Sequence, residues 1–205
     1  MTQDDVAAFD RCVAAGGVAV FPTDTVYGLA TAPDSRAGVE RLYRLKGRPP
    51  TQPAAVMFFD LERGLAALPE LGGRTRAAVE RLLPGGLTVL LPNPARRYPL
   101  ACGPVPERLG VRVPALEGAL APLAGVRGPV LQSSANRSGG RDAVRLEDVD
   151  EEIRHGADLV LDGGELGGRP STVVDLTAYE ETGAHPIVRE GAVPGDRVEA
   201  LLRVD

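Results

Sequence analysis

The sequence predicts an α/β fold, in which one domain is built around a twisted mixed sheet with packed helices. Apolar runs of strand length alternate with helical patterns in the first half of the chain and crowd together in the last third. A length of 205 residues suits a single domain. The 25 glycines and 18 prolines punctuate apolar segments and do not cluster into a linker. We therefore expect one domain over residues 1–205.

The first predicted element is a helix over about residues 4–15. Thr2 and Asp5 have the spacing of a capping box, in which each side chain accepts a hydrogen bond from the other residue's amide. Gly16 and Gly17 then end the helix, because glycine readily adopts the left-handed conformation of a helix terminus. Both signals agree on the bounds of this helix.

The remaining elements follow from the apolar pattern, taken in chain order. Strands are predicted in VAVF (18–21), TVYGLAT (25–31), PAAVMFF (53–59), LTVLLP (87–92), LGVRVP (109–114), the start of PVLQSSAN (129–136), and the late segments DLVLDGG, STVVDL and PIVREG. Helices are predicted from Ser35 to about Leu45, over 61–67, 74–83, 115–125 (weakened by Pro122), 145–155 and about 196–203. Since helices separate only some of the strands, the pattern favours a mixed sheet over an all-parallel one.

Composition narrows the functional classes. A net charge of −5 argues against a broadly basic nucleic-acid surface. No apolar run approaches the roughly 20 residues that a membrane helix needs. The opening MTQDDVAAFDRC resembles neither a signal nor a transit peptide, and Cys12 and Cys102 form no metal or redox spacing. We therefore expect a cytoplasmic protein, away from membranes, with two reduced thiols and no protein metal site.

Lys46 is the only lysine in the chain, and every other cationic side chain is arginine. In so arginine-rich a background, an exposed lysine could be replaced at little cost. Its ammonium is a compact point charge on a flexible stem, which the planar guanidinium does not imitate. The sequence leaves two interpretations: a position that requires lysine, or survival by chance.

Polar clusters follow several predicted strands, where open α/β sheets tend to place ligand sites. They are PTDT (22–25), KGR (46–48), Arg112, SSAN (133–136), Ser171-Thr172 and Arg189. Four cations with several hydroxyls and few carboxylates suit a phosphate or carboxylate ligand. The motifs GxxxxGK[ST] and GxGxxG are absent, so a nucleotide would be held by side chains from scattered segments. Taken singly, PTDT could be a plain turn and SSAN the end of a strand.

Seven motifs occur in a fixed order along residues 15–193: FPTDTVYGLA, LYRLKGRP, LPGGLTVLLP, GVRVP, SSANRSGG, STVVDL and VREG. In this order the chain resembles the YrdC-type threonylcarbamoyl-adenylate synthases. The resemblance implies a sheet that lines a large cationic cavity. Some members carry an extra C-terminal domain, and we expect the short form here.

The resemblance also implies an activity. Such enzymes join ATP, L-threonine and bicarbonate (or carbon dioxide) into threonylcarbamoyl-AMP and release pyrophosphate. A downstream tRNA-modifying transferase complex then moves the threonylcarbamoyl group to adenosine 37 of tRNAs that read codons beginning with A. Mg²⁺ is expected to arrive with ATP, held by phosphates and water without a dedicated protein cage.

Carried over motif by motif, the resemblance assigns the candidate residues. The threonine site would comprise Thr25, Met57, Arg112, Ser134 and Ser171, and the ATP site Arg48, Gln52, Asn136 and Arg189. Lys46 would lie beside the phosphates, and the catalytic set would be Lys46, Arg48, Ser134 and Asn136. The chain departs from the family in four places: Met57 replaces a frequent histidine, Gln52 an asparagine, Asp142-Ala143-Val144 a Ser-Pro-Thr, and Glu190 a proline.

Two alternatives stay open at this point. Met57 and the missing Ser-Pro-Thr are compatible with a paralogue of the same fold that uses another carbamoyl or acyl substrate. A non-catalytic protein that binds tRNA or another double-stranded RNA is the second alternative. The acidic net charge and the small number of aromatic residues count against it.

Overall fold

The computed structural model describes residues 1–203, and within them the strands form one nine-stranded mixed sheet, as predicted. The strands are β1 (Ala19–Phe21), β2 (Gly28–Thr31), β3 (Ala55–Met57), β4 (Leu87–Pro92), β5 (Arg108–Arg112), β6 (Val130–Ser134), β7 (Leu159–Val160), β8 (Thr172–Asp175) and β9 (Ile187–Arg189). Their order across the sheet is β7-β1-β2-β6-β3-β5-β4-β8-β9. The pairs β1–β7, β3–β5 and β4–β8 are parallel, and the other five pairs are antiparallel.

Helices cover both faces of this sheet. They are α1 (Gln3–Ala14), α2 (Arg36–Lys46), α3 (Leu61–Ala66), α4 (Gly73–Leu82), α5 (Pro99–Cys102), α6 (Glu151–Gly156), α7 (Tyr179–Thr182) and α8 (Gly195–Leu202). The capping box of α1 is confirmed: the amide of Asp5 donates to Thr2 Oγ1 at 3.2 Å, and the amide of Thr2 donates to Asp5 Oδ2 at 2.7 Å. No helix within residues 1–203 has the length and apolar character needed to cross a membrane.

Several predicted elements differ from the observed ones for local reasons. The strand predicted from residue 25 begins only at Gly28, because Thr23 folds the preceding residues into a turn. Its hydroxyl donates to the carbonyl of Val26 at 2.7 Å and accepts from the Val26 amide at 3.3 Å. The helix predicted over 115–125 is a 3₁₀ helix, Gly118–Gly125, with Pro122 inside it. The segment 145–155 divides into a 3₁₀ turn, Leu146–Asp148, and α6.

The two faces of the sheet have different neighbours. One face is covered by α2, α4, α6 and α8 over a large apolar core. Half of the other face is covered by α1 and the 3₁₀ helix, where Phe9, Phe21 and Phe59 pack with ring centroids 5.1–6.2 Å apart. The remaining part of this second face carries the polar residues that the sequence singles out. We call it the site face.

Candidate active site

The centre of the site face is lined by small and polar side chains. Residues paired across neighbouring strands point to the same side of a sheet, so the registers identify them. The pairs are Gly28 with Ser134, Ala30 and Ala55 with Gln132, Ala55 with Gly110, and Met57 with Arg112. Gly28 has no room for a larger side chain, because a Cβ atom there would lie 2.9 Å from the Phe21 ring. Because these residues have small side chains, little side-chain volume stands above this part of the sheet, and polar groups flank it.

Arg112, the last residue of β5, is buried with only 3% of its surface exposed. Its Nη2 donates to Asp24 Oδ1 at 2.5 Å, to Thr25 Oγ1 at 2.5 Å and to Thr23 Oγ1 at 3.3 Å. Asp24 is fixed in turn, since its Oδ2 accepts from the Ala115 amide at 3.0 Å. Burial lowers the pKa of Arg112, and the Asp24 carboxylate opposes that shift. The PTDT segment is therefore the anchor of this arginine.

One donor of the Arg112 guanidinium is left unsatisfied by the described residues. Its Nε is buried and has no hydrogen-bond partner among residues 1–203. An unsatisfied buried donor costs about 1–3 kcal/mol, which a ligand that accepts the bond would recover. Carboxylates accept two parallel bonds from a guanidinium. The charge of Arg112 and its unsatisfied donor therefore favour an anionic ligand, such as a carboxylate.

A second arginine reaches the same region from β9. Arg189 Nη2 donates to the carbonyl of Ser171 at 2.7 Å and approaches Ser171 Oγ at 3.3 Å. Ser171 Oγ lies 2.8 Å from Thr88 Oγ1 on β4. Arg189 also adds to the lowering of the Arg112 pKa and of the Arg48 pKa, both of which are lowered mainly by burial. These arginines therefore lie within electrostatic range of one another.

Lys46 is placed by the end of α2. Gly47 takes a left-handed conformation with φ of 60°, and the Arg48 amide donates to the carbonyl of Tyr43 at 2.9 Å. This is the hydrogen-bond pattern of a Schellman ending. The helix therefore ends at Lys46, and Arg48 lies on the turn that follows Gly47. The Lys46 ammonium donates to the carbonyl of Ser134, to the carbonyl of Asn136 at 2.7 Å and to Asn136 Oδ1 at 3.1 Å.

The pKa of Lys46 is lowered to about 8, first by burial and then by the charge of Arg48, while Asp142 opposes the shift. Arg48 donates through Nη1 to Ser133 Oγ at 2.9 Å and through Nη2 to the carbonyl of Pro53. Its Nε is buried and without a partner in the described chain, as in Arg112. A lysine and an arginine two residues apart thus both bond to the segment 133–136.

The structure brings most of the predicted site residues to one region. Ser134 and Asn136 bond to each other, with the hydroxyl donating to Oδ1 at 2.6 Å. Met57 is fully buried and lies beside Arg112 in register, at the border with the apolar cluster of α1. Gln52 is exposed, and within residues 1–203 its side chain makes no hydrogen bond to the other predicted site residues. These assignments to ATP and threonine stay predictions.

Two functional candidates were missed by sequence reasoning. Asp24 belongs to the PTDT cluster, but nothing in the sequence pairs it with Arg112. Thr88 is the one polar position of the strand LTVLLP, and that isolated polarity was the available signal. Both contacts join segments more than eighty residues apart in the chain, at separations of 88 and 83 residues.

The resemblance implies a cationic cavity, and Mg²⁺ is expected with ATP. A groove of about 670 Å³ lies against α1 and residues 125–128, away from these cations. The cationic cavity stays a prediction. Among residues 1–203 no group of three or more histidine, cysteine or acidic side chains has the geometry of a metal site. The cations and hydroxyls of the site fit phosphate oxygens, so Mg²⁺ brought by a nucleotide stays an expectation.

Comparison with known proteins places the chain in a family. Residues 11–191 match the Sua5/YciO/YrdC family model, described as telomere recombination. A threonylcarbamoyl-AMP synthase of Chromohalobacter salexigens is 34% identical over 87% of the chain and 96% of its own length. The threonylcarbamoyl-AMP synthase of Pyrococcus abyssi is 32% identical over 91% of the chain, which spans only 54% of that longer relative.

Solved structures agree with the sequence comparison. The Sua5 protein of P. abyssi complexed with L-threonine superposes with a TM-score of 0.83 at 28% identity, over 98% of this chain and 58% of the other. The YciO protein of E. coli gives a TM-score of 0.79 at 27% identity, over 96% of this chain and 94% of the other. The family model and these relatives together show that the chain belongs to the Sua5/YciO/YrdC family.

Proposed function

We propose that this chain is a threonylcarbamoyl-AMP synthase, which forms threonylcarbamoyl-AMP and pyrophosphate from L-threonine, bicarbonate or carbon dioxide, and ATP. The observation that carries the proposal is the buried Arg112, whose Nη2 is held by Asp24 and Thr25 while its Nε has no partner in the described chain. In a family whose relatives bear this activity, that arrangement supports the binding of an amino-acid carboxylate.

Threonine would lie on the site face with its carboxylate against Arg112. Thr25 borders this position through its hydroxyl contact with the same guanidinium. The hydroxyls of Ser134 and Ser171 are the further polar groups expected around the amino acid. Met57 would border the same pocket beside Arg112. The substrate would thus be recognised mainly through one charged pair and several hydroxyls.

ATP would extend from this position across the remaining cations. Arg48, Asn136 and Arg189 are the residues proposed to hold the adenylate and phosphates, and Gln52 would lie at the phosphate end. Two arginines and a lysine concentrate positive charge where the triphosphate must approach an anion. Neutralising both reactants is the main electrostatic contribution that such a site offers.

The reaction proceeds in two bond-forming steps. The threonine amine first adds to carbon dioxide, loses a proton and becomes a carbamate. A carbamate oxygen then attacks the α-phosphorus of ATP, and the bond from that phosphorus to the bridging oxygen of the β-phosphate breaks. Pyrophosphate leaves with the electron pair of that bond. Mg²⁺, when bound with ATP, would neutralise charge on the departing phosphates.

The product is an activated threonylcarbamoyl group, so a transferase must consume it. We propose that a tRNA-modifying transferase complex takes it in the cytoplasm, where tRNA substrates are available. Direct binding of tRNA or double-stranded RNA by this chain is a separate expectation.

Pyrophosphate release from ATP and bicarbonate tests the proposed function. Wild-type protein is compared with threonine, with serine and without amino acid, and the nucleotide product is identified by mass. Threonine-dependent pyrophosphate release with formation of threonylcarbamoyl-AMP is expected. Release with another amino acid only would indicate the same-fold paralogue. Salt-dependent RNA binding without any release would favour the non-catalytic alternative.

A further inference from the structure

The ammonium group of Lys46 is fully occupied by its own chain. A lysine ammonium has three N–H donors and no acceptor. Three oxygens receive them: the carbonyls of Ser134 and Asn136, and Asn136 Oδ1. The side chain is buried, with 3% of its surface exposed. No donor is left for a phosphate unless one of these contacts breaks.

The contacts of Lys46 lie at the centre of a larger set that orders residues 134–140. The carbonyl of Lys46 accepts from the Ser138 amide at 2.8 Å, so backbone and side chain of one residue bind the same loop. Asn136 continues the chain of contacts, since its Nδ2 donates to the carbonyl of Gly140 at 2.6 Å. Ser134 completes it through its hydroxyl bond to Asn136 Oδ1.

The arrangement of acceptors explains why this position suits lysine. Two carbonyl oxygens and one amide oxygen converge on a single nitrogen, and an ammonium can direct one donor to each. A guanidinium spreads its donors in a plane around a larger head. Arginine would therefore keep the charge but could not place three donors at one point.

We propose that Lys46 is a positioning residue, whose ammonium holds Ser134 and Asn136 in their working geometry and does not itself contact the phosphates. The proposal rests on the proposed function for the roles of Ser134 and Asn136. The loop contacts are independent of it, because each of them joins two groups of the chain itself. Charge on the phosphates would then be neutralised by the arginines.

Hydrogen exchange in the absence of substrates tests the positioning itself. The loop amides to follow are those of Ala135, which donates to Tyr27, and of Gly140, which donates to Arg137. We expect both amides to exchange at least tenfold faster in Lys46→Met and in Lys46→Arg than in wild type. Arg189→Met serves as the control, because Arg189 contacts Ser171 and not this loop. Wild-type exchange in both lysine variants would overturn the proposal.

Pyrophosphate release distinguishes positioning from direct contact. If Lys46 acts through the loop, Lys46→Arg should be slowed at least tenfold despite its retained charge, and arginine should not rescue Lys46→Met. If the charge acts directly on phosphate, Lys46→Arg should keep most of the wild-type rate, and the proposal fails. A wild-type protein without threonine-dependent release would refute the proposed function alone, because the exchange result is read without substrate.

Discussion

Lys46 and Arg112 are buried to the same extent, with 3% of each surface exposed, yet their surroundings differ. The three N–H donors of the Lys46 ammonium all bond to backbone carbonyl and side-chain amide oxygens of one loop. Arg112 donates through Nη2 to Asp24 and to two threonine hydroxyls. Its buried Nε has no hydrogen-bond partner in the described chain. The donors of Lys46 are therefore all used within the protein, whereas Arg112 retains one donor unsatisfied by the described residues.

The difference follows from the chemistry of the two side chains. A buried ammonium is stabilised best when its few donors all find acceptors. A guanidinium has five donors in a fixed fork, so one side can be anchored while the other faces a substrate. Burial also penalises the charged form of Lys46, as its lowered pKa indicates, and the Asp142 carboxylate offsets this only in part. The sequence shows Lys46 only as a cation at the end of a predicted helix and Arg112 only as a cation within a predicted strand.

Replacing Arg112 by lysine should have the largest effect on catalysis. Lysine keeps the charge opposite Asp24 but cannot present a second side to the threonine carboxylate. Losing a charge-assisted pair costs about 1.5–3 kcal/mol, so the KM for threonine should rise roughly 10- to 150-fold. Steady-state pyrophosphate release with varied threonine and varied ATP measures this change. An unchanged threonine KM would remove Arg112 from the amino-acid site, and an equal rise for ATP would show a general disturbance.

The rate should also fall at alkaline pH if the charged form of Lys46 holds the loop. With a pKa of about 8 in the folded protein, the ammonium is present below that pH and is lost above it. A neutral amine has only two N–H donors for three oxygens. We expect kcat/KM to fall by up to about tenfold per pH unit above pH 8. The charged groups near Lys46 are Arg48 and Asp142.

Stability should move in the opposite direction. The ordinary pKa of lysine is 10.5, so the unfolded chain binds more protons than the folded one between about pH 8 and that value. The free energy of unfolding therefore rises with pH in this window, by up to about 3 kcal/mol, relative to Lys46→Met. Denaturant titrations of both proteins measure the difference.

Lys46→Arg is the control for the pH dependence of the rate. Its guanidinium stays protonated, so kcat/KM should not fall above pH 8 in this variant. A fall that persists in Lys46→Arg would assign the titration to another group.

The sequence was sufficient for the fold where local signals are strong. The capping box and paired glycines predicted α1, and the order of strands and helices predicted the mixed sheet. The predicted start of β2 was wrong because the Thr23 hydroxyl bonds to the carbonyl and the amide of Val26 and folds these residues into a turn. The one-turn helices α5 and α7 were missed because four residues are too few to establish a helical period.

The site could be predicted as a set of residues but not as a geometry. Motif order identified Lys46, Ser134 and Asn136, and the structure brings them together. The contact between Lys46 and Ser134 joins residues 88 positions apart, on a helix end and a strand end. Nothing local in the sequence reveals that the three donors of the lysine are used within the protein. The same holds for Asp24, whose role depends on where β5 ends.

A smaller effect is expected from Thr88→Val. This substitution replaces one hydroxyl by a methyl group and leaves the side-chain volume nearly constant. Thr88 Oγ1 bonds to Ser171 Oγ at 2.8 Å and thereby orients a hydroxyl expected to face threonine. Loss of a neutral hydrogen bond costs about 1 kcal/mol, so the threonine KM should rise about fivefold. Thr75→Val is the control, because Thr75 is also buried, in α4, and its hydroxyl has no partner within residues 1–203. A threonine KM raised equally in both variants would mean a general loss of packing.

The smallest effect concerns Met57, which is fully buried beside Arg112 at the border between the site face and the apolar cluster of α1. A thioether is a weak acceptor, so threonine lacks one strong polar partner there, and a site without that partner discriminates less sharply. Met57→His should raise the threonine-to-serine ratio of kcat/KM by about threefold, roughly 0.7 kcal/mol. The gain is small because the imidazole must also be buried against apolar side chains, which lowers stability. Met57→Leu keeps the volume and should leave the ratio unchanged. Competition between the two amino acids in one reaction measures the ratio directly, and an equal ratio in all three proteins would assign Met57 to the core alone.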